Sequence, residues 1–209
     1  MNKNIVSFLL FMSLFLTGTP VMCGSEYILY VRARGELGRQ LSTYWKAVKE
    51  DSSISHSAIT DFPPHCSLTG FFPMDKSKNI YVQAVENALL QLGSMPRTIT
   101  INRLVQSKAT SNLDYIQLTS AYLTAVTKKF MSNASVPQKY LKGPEATVKP
   151  FTFHITLRDH VFTKDVIKKM KAIQSLERQI QLNAPVVWSL FLYERDDAGH
   201  LTMIQDFPL

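Results

Sequence analysis

Two pairs of alternating segments constrain this chain more than any other feature. Thr98–Val105 sets Ile99, Ile101 and Val105 against polar neighbours, and Leu113–Ser120 sets Leu113, Tyr115, Gln117 and Thr119 against Asp114, Ile116 and Leu118. A period of two marks strands, and the short polar stretch between them predicts a hairpin. A second hairpin is expected from Val186–Tyr193 and Leu201–Gln205, turning at Asp196-Asp197-Ala198-Gly199. Hairpins force antiparallel pairing, which excludes a purely parallel doubly wound sheet.

Between the strands the apolar spacing changes to that of helices. Leu37, Leu41, Tyr44, Trp45 and Val48 follow the buried run Tyr27-Ile28-Leu29-Tyr30-Val31, and Ile80, Val82, Val85, Leu89 and Leu92 mark a second helix. Further helices are expected over 121–133 and 163–176, and further strands over 65–72 and 151–157. Asp61-Phe62-Pro63-Pro64 stops any helix and launches the extended segment at His65. The order is β-α-β-α-β-β-α-β-α-β-β, with strand–helix–strand units in both halves. The fold class expected is α+β, with two similar lobes, antiparallel or mixed sheets, and helices on the outer faces.

The chain has 209 residues, 45% hydrophobic and 19% charged, enough to form a core. Its formal charge of +7 favours anionic ligands such as phosphates, nucleotides, RNA or acidic lipid. Lys3 and the apolar run from Ile5 to Leu16, closed by Thr17-Gly18-Thr19-Pro20, read as a secretory signal peptide, since that run is short of the roughly twenty residues of a spanning helix. Cleavage after Cys23 would leave residues 24–209 as the mature domain, secreted or in the secretory pathway. It would also leave Cys66 as the one mature cysteine, read as a small buried hydrophobe; earlier cleavage would allow a Cys23–Cys66 pair.

Five histidines carry what chemistry the sequence offers, and three begin an H-x-[ST] tripeptide: His65-Cys66-Ser67, His154-Ile155-Thr156 and His200-Leu201-Thr202. The third falls at a hairpin turn and is set aside. The other two lie in apolar strands and each ends in leucine, Leu68 and Leu157. In a strand, residues i and i+2 share a face roughly 7 Å apart, so His65 aligns with Ser67 and His154 with Thr156. Two such strands across a cleft would present a neutral imidazole as general base, a protonated one as general acid, and two hydroxyls for the nonbridging oxygens of a phosphodiester. No third ligand stands at a metal-site spacing, so neither metal nor other cofactor is expected.

These two strands and the order of elements around them resemble the two-histidine phosphoesterase superfamily, over essentially all of 25–209. That superfamily includes plant cyclic phosphodiesterases, bacterial RNA ligase-like phosphodiesterases and enzymes that cleave 2′-5′ oligoadenylate. Pro64-His65-Cys66-Ser67-Leu68 is similar to the first motif and Phe153-His154-Ile155-Thr156-Leu157 to the second, with Phe153 where many members have proline and Pro150 as an alternative loop proline. The resemblance implies a bilobal fold, two antiparallel sheets facing a central cleft with helices on the outside, and a metal-independent phosphodiesterase acting on a 2′,3′-cyclic phosphate or a 2′-5′ linked nucleotide or RNA. His65 and His154 would be the catalytic pair, and Ser67 and Thr156 the phosphate ligands. Tyr30 stands where plant members carry a cleft-lining aromatic, and Tyr115 is placed to stack a base, although core packing accounts equally for both. Lys142 and Lys149 flank a loop before the second motif. His154 is assigned to the base that activates water and His65 to the acid. A monomer without stable membrane association is expected. An endoribonuclease that forms a cyclic phosphate by 2′-hydroxyl attack, or a noncatalytic RNA- or nucleotide-binding module, are the alternatives.

Overall fold

The computed structural model describes residues 25–50, 62–73, 75–106, 113–146, 152–159 and 166–209. The segment read as a signal peptide, together with Cys23, His56, Lys149, Pro150 and His160, lies outside the described residues. The strands are β1 (Glu26–Arg34), β2 (Cys66–Ser67), β3 (Phe72–Pro73), β4 (Thr100–Val105), β5 (Leu113–Thr119), β6 (His154–Asp159), β7 (Val186–Arg195) and β8 (Leu201–Pro208). The helices are α1 (Gly35–Glu50), α2 (Lys78–Gln91), α3 (Ala121–Ala134) and α4 (Val166–Glu177).

The strands form two antiparallel sheets. One runs β2-β1-β7-β8, with β3 also on β1, and the other runs β4-β5-β6. β2 and β3 are two pieces of one edge: Ser67 faces Tyr30 and Phe72 faces Tyr27. The single extended segment expected over 65–72 is divided here because Leu68 N and Thr69 N both donate to Leu29 O, while Leu29 N donates to the Thr69 hydroxyl at 3.0 Å. Thr69 thus replaces a ladder bond with a side-chain bond and fixes the register of the motif strand.

Alternation along β1 sends Tyr27, Leu29 and Val31 into the main core and Ile28 and Tyr30 to the opposite face, where they meet Phe191. Both sheets share that core: Cys66 and Leu68 of the first segment bury in it with Ile116, Ile155 and Leu157 of the second sheet. Gly70 N donates to Tyr140 O and Lys142 N to Leu68 O, so the segment after α3 is tied to the stretch that follows β2.

Helix α1 follows β1 with no loop, because Gly35 takes the left-handed region at φ 70°. Its buried residues Leu37, Leu41, Tyr44 and Val48 recur at helical spacing. Helix α3 is capped by Ser120, whose hydroxyl accepts from Leu123 N at 3.0 Å, an interaction worth about 1 kcal/mol. The buried face of α2 centres on Tyr81, Ala84, Val85 and Ala88; of the expected residues Val85 is buried and Val82, Leu89 and Leu92 pack at its margin, while Ile80 is 41% exposed. Tyr81 decides the rotation, its ring centroid 4.7 Å from that of Tyr27 and 5.5 Å from that of Phe72. Among the described residues no helix is long and apolar enough to cross a membrane.

Beneath the β5–β6 ladder lies a polar cluster inside the apolar core. Arg158 Nε donates to Asp114 Oδ2 at 2.9 Å, with both side chains buried. Close by, Glu177 accepts from Tyr44 Oη at 3.2 Å and Gln106 Nε2 at 2.8 Å. The cluster joins α1, α4 and the second sheet, and burial pushes the Glu177 carboxyl up to about 7, with the Asp114 charge adding to the rise.

Candidate active site

His65 enters β2 straight from Pro63-Pro64, and its Nδ1 lies 2.8 Å from Pro63 O. His154 opens β6, and its Nδ1 lies 2.8 Å from Thr152 O. A carbonyl oxygen can only accept, so in each ring Nδ1 carries the proton and the neutral tautomer has its lone pair on Nε2. The two motifs therefore solve one local problem in one way, with the backbone carbonyl two residues earlier fixing ring orientation and tautomer.

The symmetry extends to the neighbouring strands. Tyr30 of β1 is the register partner of Ser67, and Tyr115 of β5 is the register partner of Thr156. Each tyrosine ring lies against the motif histidine: the Tyr30 and His65 centroids are 3.8 Å apart, those of Tyr115 and His154 5.0 Å. Tyr30 is buried, whereas Ser67, Thr156, Tyr115 and both histidines are half-buried. The two tyrosines placed from sequence on the cleft side thus contact the two histidines directly.

The two motif strands pack on one another. The Cys66 thiol, pushed up to about 12 by burial, bonds to the backbone of His154, which ties the inward residue of one motif to the start of the other. Burial lowers His65 to about 4, the bond to Pro63 O opposes this, and the Arg32 and His154 charges lower it further. His65 is therefore a neutral imidazole at neutral pH.

Phe153, immediately before His154, is buried and packs on Gly143. A Cβ at position 143 would fall 2.7 Å from the Phe153 ring, and Gly143 has φ 124°, so only glycine fits. Phe153 O accepts from Leu118 N at 2.7 Å, which starts the β5–β6 ladder one residue before His154.

A cavity of about 460 Å³ opens beside His65. Tyr30, Arg32, Lys49 and Tyr193 line it with His65, and Gly199 and His200 form a rim. Ser67, His154 and Thr156 are not among its lining residues. Arg32 and Tyr193 had not been singled out from the sequence. Arg32 Nη1 donates to Tyr193 Oη at 3.2 Å, and its charge acts on His65. The signal for Arg32 was present: Ile28, Tyr30, Arg32 and Arg34 alternate along β1, so Arg32 shares the face of Tyr30. His200, set aside as a turn residue, does serve the turn: its backbone N donates to Asp196 Oδ1 at 2.7 Å. Among the described residues no group of three or more His, Cys, Asp or Glu side chains is placed to hold a metal ion.

No protein-family model matches the chain, and no curated protein matches it. In overall structure the chain is similar to E. coli LigT complexed with 3′-AMP, at 15% identity and a TM-score of 0.44, over 89% of this chain and 98% of that one. It is also similar to a protein described as a phosphoesterase, at 15% identity and a TM-score of 0.42, over 88% of this chain and 98% of that one. Usb1 of Kluyveromyces marxianus shows a looser likeness, at 10% identity and a TM-score of 0.34, over 91% of this chain and its whole length. The two antiparallel sheets with their helices are the α+β architecture expected from the sequence.

Proposed function

We propose that this protein is a metal-independent phosphodiesterase of the two-histidine type, acting on 2′,3′-cyclic phosphates or 2′-5′ linkages of nucleotides or RNA. The observation that carries this reading is the duplicated local geometry: two H-x-[ST] strands in contact, each imidazole held through Nδ1 at 2.8 Å from the carbonyl two residues before it. Purely structural histidines have no need of matched tautomers and matched hydroxyls. Acid–base catalysis needs both.

In hydrolysis of a cyclic phosphate, Nε2 of the neutral histidine takes a proton from water as the water oxygen attacks phosphorus. The bond from phosphorus to one ribose oxygen breaks, and the second histidine gives that oxygen its proton. Ser67 and Thr156 donate their hydroxyls to the nonbridging oxygens, with Arg32 adding positive charge beside the base. The low pKa of His65 favours it as the resting base and His154 as the acid, the reverse of the assignment read from sequence. If 2′-hydroxyl attack on an intact strand were the direction of reaction, the roles would exchange by microscopic reversibility.

The test is turnover of 2′,3′-cyclic nucleotides and of 2′-5′ and 3′-5′ oligonucleotides in the presence of EDTA. Undiminished hydrolysis is expected, with His65→Ala and His154→Ala each losing about 10²–10⁴-fold. Ser67→Ala and Thr156→Val should lose less, since each removes one hydrogen bond among several. Activity that vanishes with EDTA and returns with a divalent metal, or full activity in either histidine variant, would overturn the reading. We further propose that the exported form begins at Gly24 and works as a secreted monomer, which amino-terminal sequencing and sedimentation of the exported protein would check.

A further inference from the structure

A second concavity, of about 660 Å³, lies beside the catalytic cleft where β1 passes into α1. Arg32 lines both. The other walls carry Arg34 from β1 and Arg39, Ser42, Thr43 and Lys46 from α1. Among the described residues no carboxylate lines it. Arg34 pairs with Asp206 and Arg39 with Glu36, so four cations face two carboxylates, and the groove keeps a positive excess.

The cations are organised. Arg32 and Arg34 both set their guanidinium groups over the Phe191 ring, each 5.1 Å from its centroid, so one buried aromatic ring carries two charges side by side. Arg39, Ser42, Thr43 and Lys46 recur at helical spacing on one face of α1, and Lys49, one turn beyond Lys46, already belongs to the catalytic cleft. From Arg39 to Lys49 this face runs about 15 Å along the helix, enough to meet more than one phosphate of a strand. Glycine at position 38 lets α1 start this close to the end of β1: a Cβ there would fall 2.5 Å from Ala33 O.

We infer that this groove binds the phosphates of a nucleotide strand whose reactive end occupies the cleft at His65, so that the substrate is an oligonucleotide and not a free mononucleotide. The inference rests on the phosphodiesterase reading of the cleft and adds a strand-length preference to it. Arg32 is the joint between reacting phosphate and flanking phosphates. The hydroxyls of Ser42 and Thr43 supply neutral donors between the charges, as backbone recognition without base readout requires.

Binding and turnover test this separately. Fluorescein-labelled mono-, tri- and octanucleotides would be titrated by anisotropy into full-length protein carrying His65→Ala, alone and with the exposed pair Arg39→Glu and Lys46→Glu. Affinity is expected to rise with length, and the double charge reversal should weaken the octanucleotide by about tenfold or more and reduce the salt slope by about two. In the otherwise unaltered enzyme the same reversal should leave kcat/KM for a cyclic mononucleotide unchanged. Affinity independent of length, or an octanucleotide indifferent to the reversal, would overturn the inference. So would charge-dependent capture by phosphatidylserine vesicles with no binding of the octanucleotide. Length-dependent binding without any turnover would sink the catalytic reading and leave the groove standing; turnover without length dependence would do the opposite.

Discussion

The ring of Tyr30 lies 3.8 Å, centroid to centroid, from the imidazole of His65. Tyr30 is also the register partner of Ser67, so one β1 residue touches the histidine of the motif and backs its hydroxyl. Tyr115 repeats the relationship at 5.0 Å from His154 and opposite Thr156. The duplication makes the tyrosines part of how each histidine is held, whatever else they contact in a bound substrate.

Tyr30 is thus a positioning residue, and its variants separate ring from hydroxyl. Tyr30→Phe keeps the ring and should retain most of kcat. Tyr30→Leu keeps apolar volume but removes the stacked ring, and should lower kcat by about ten- to a hundredfold through misplacement of His65. It should also let water reach the imidazole and move the acid limb of the pH profile upward. An unchanged profile in Tyr30→Leu would show that the ring only fills space.

Burial and the Arg32 charge hold His65 down to about 4, so its neutral, proton-accepting form persists well below the ordinary histidine value. With His65 as base, the acid limb of kcat/KM is expected near pH 4, since that limb reports the free enzyme. Arg32→Met removes a charge that disfavours imidazolium, and should shift the limb upward while weakening anion binding. A wild-type limb near pH 6.5 would return the role of base to His154.

Much of this was legible in the chain. The order of elements followed from the change between periods of two and 3.6, and the turn at 196–199 from its Asp-Asp-Ala-Gly sequence. The division of the first motif strand was not legible, because it depends on one hydroxyl, Thr69, replacing a ladder bond to Leu29. Alternation placed Asp114 on the inward side with Ile116 and Leu118, but it could not reveal that Arg158 would bury beside it: Arg158 lies two positions past Thr156, and a register shift between Asp114 and Tyr115 intervenes. Arg32 was readable by the same alternation that gave Tyr30. The groove at β1 and α1 was not, since it needs the crossing distance that Gly38 permits.

Gly143 offers a test of how β6 is placed. Its φ of 124° is strained for any other residue, and a Cβ would press on the Phe153 ring at 2.7 Å. Gly143→Ala should cost about 1–3 kcal/mol in denaturant unfolding and should lower kcat more than a surface substitution would, because Phe153 immediately precedes His154. Loss of stability with wild-type kcat in the folded fraction would show that the Phe153 contact does not position the histidine.

Glu177 ties stability to pH from beneath the site. Burial and, secondarily, the Asp114 charge raise its pKa to about 7, against about 4.3 in an unfolded chain, while Gln106, Tyr44 and Arg158 favour the ionised form. Between those values the folded state holds a proton that the unfolded state releases. The stability contributed by this group is therefore complete below about pH 4.3 and is lost as pH rises through about 7. Glu177→Gln keeps a neutral oxygen for Tyr44 and Gln106 at every pH. It should leave stability near wild type at pH 5 and raise it relative to wild type at pH 8. His65 contributes in the opposite direction, gaining stability as pH rises from about 4 towards 6.5, so the quantity to read is the difference between variant and wild type in urea unfolding at each pH. A constant difference from pH 5 to pH 8 would mean that Glu177 is ionised throughout, paired with Arg158 and not held as the neutral acid.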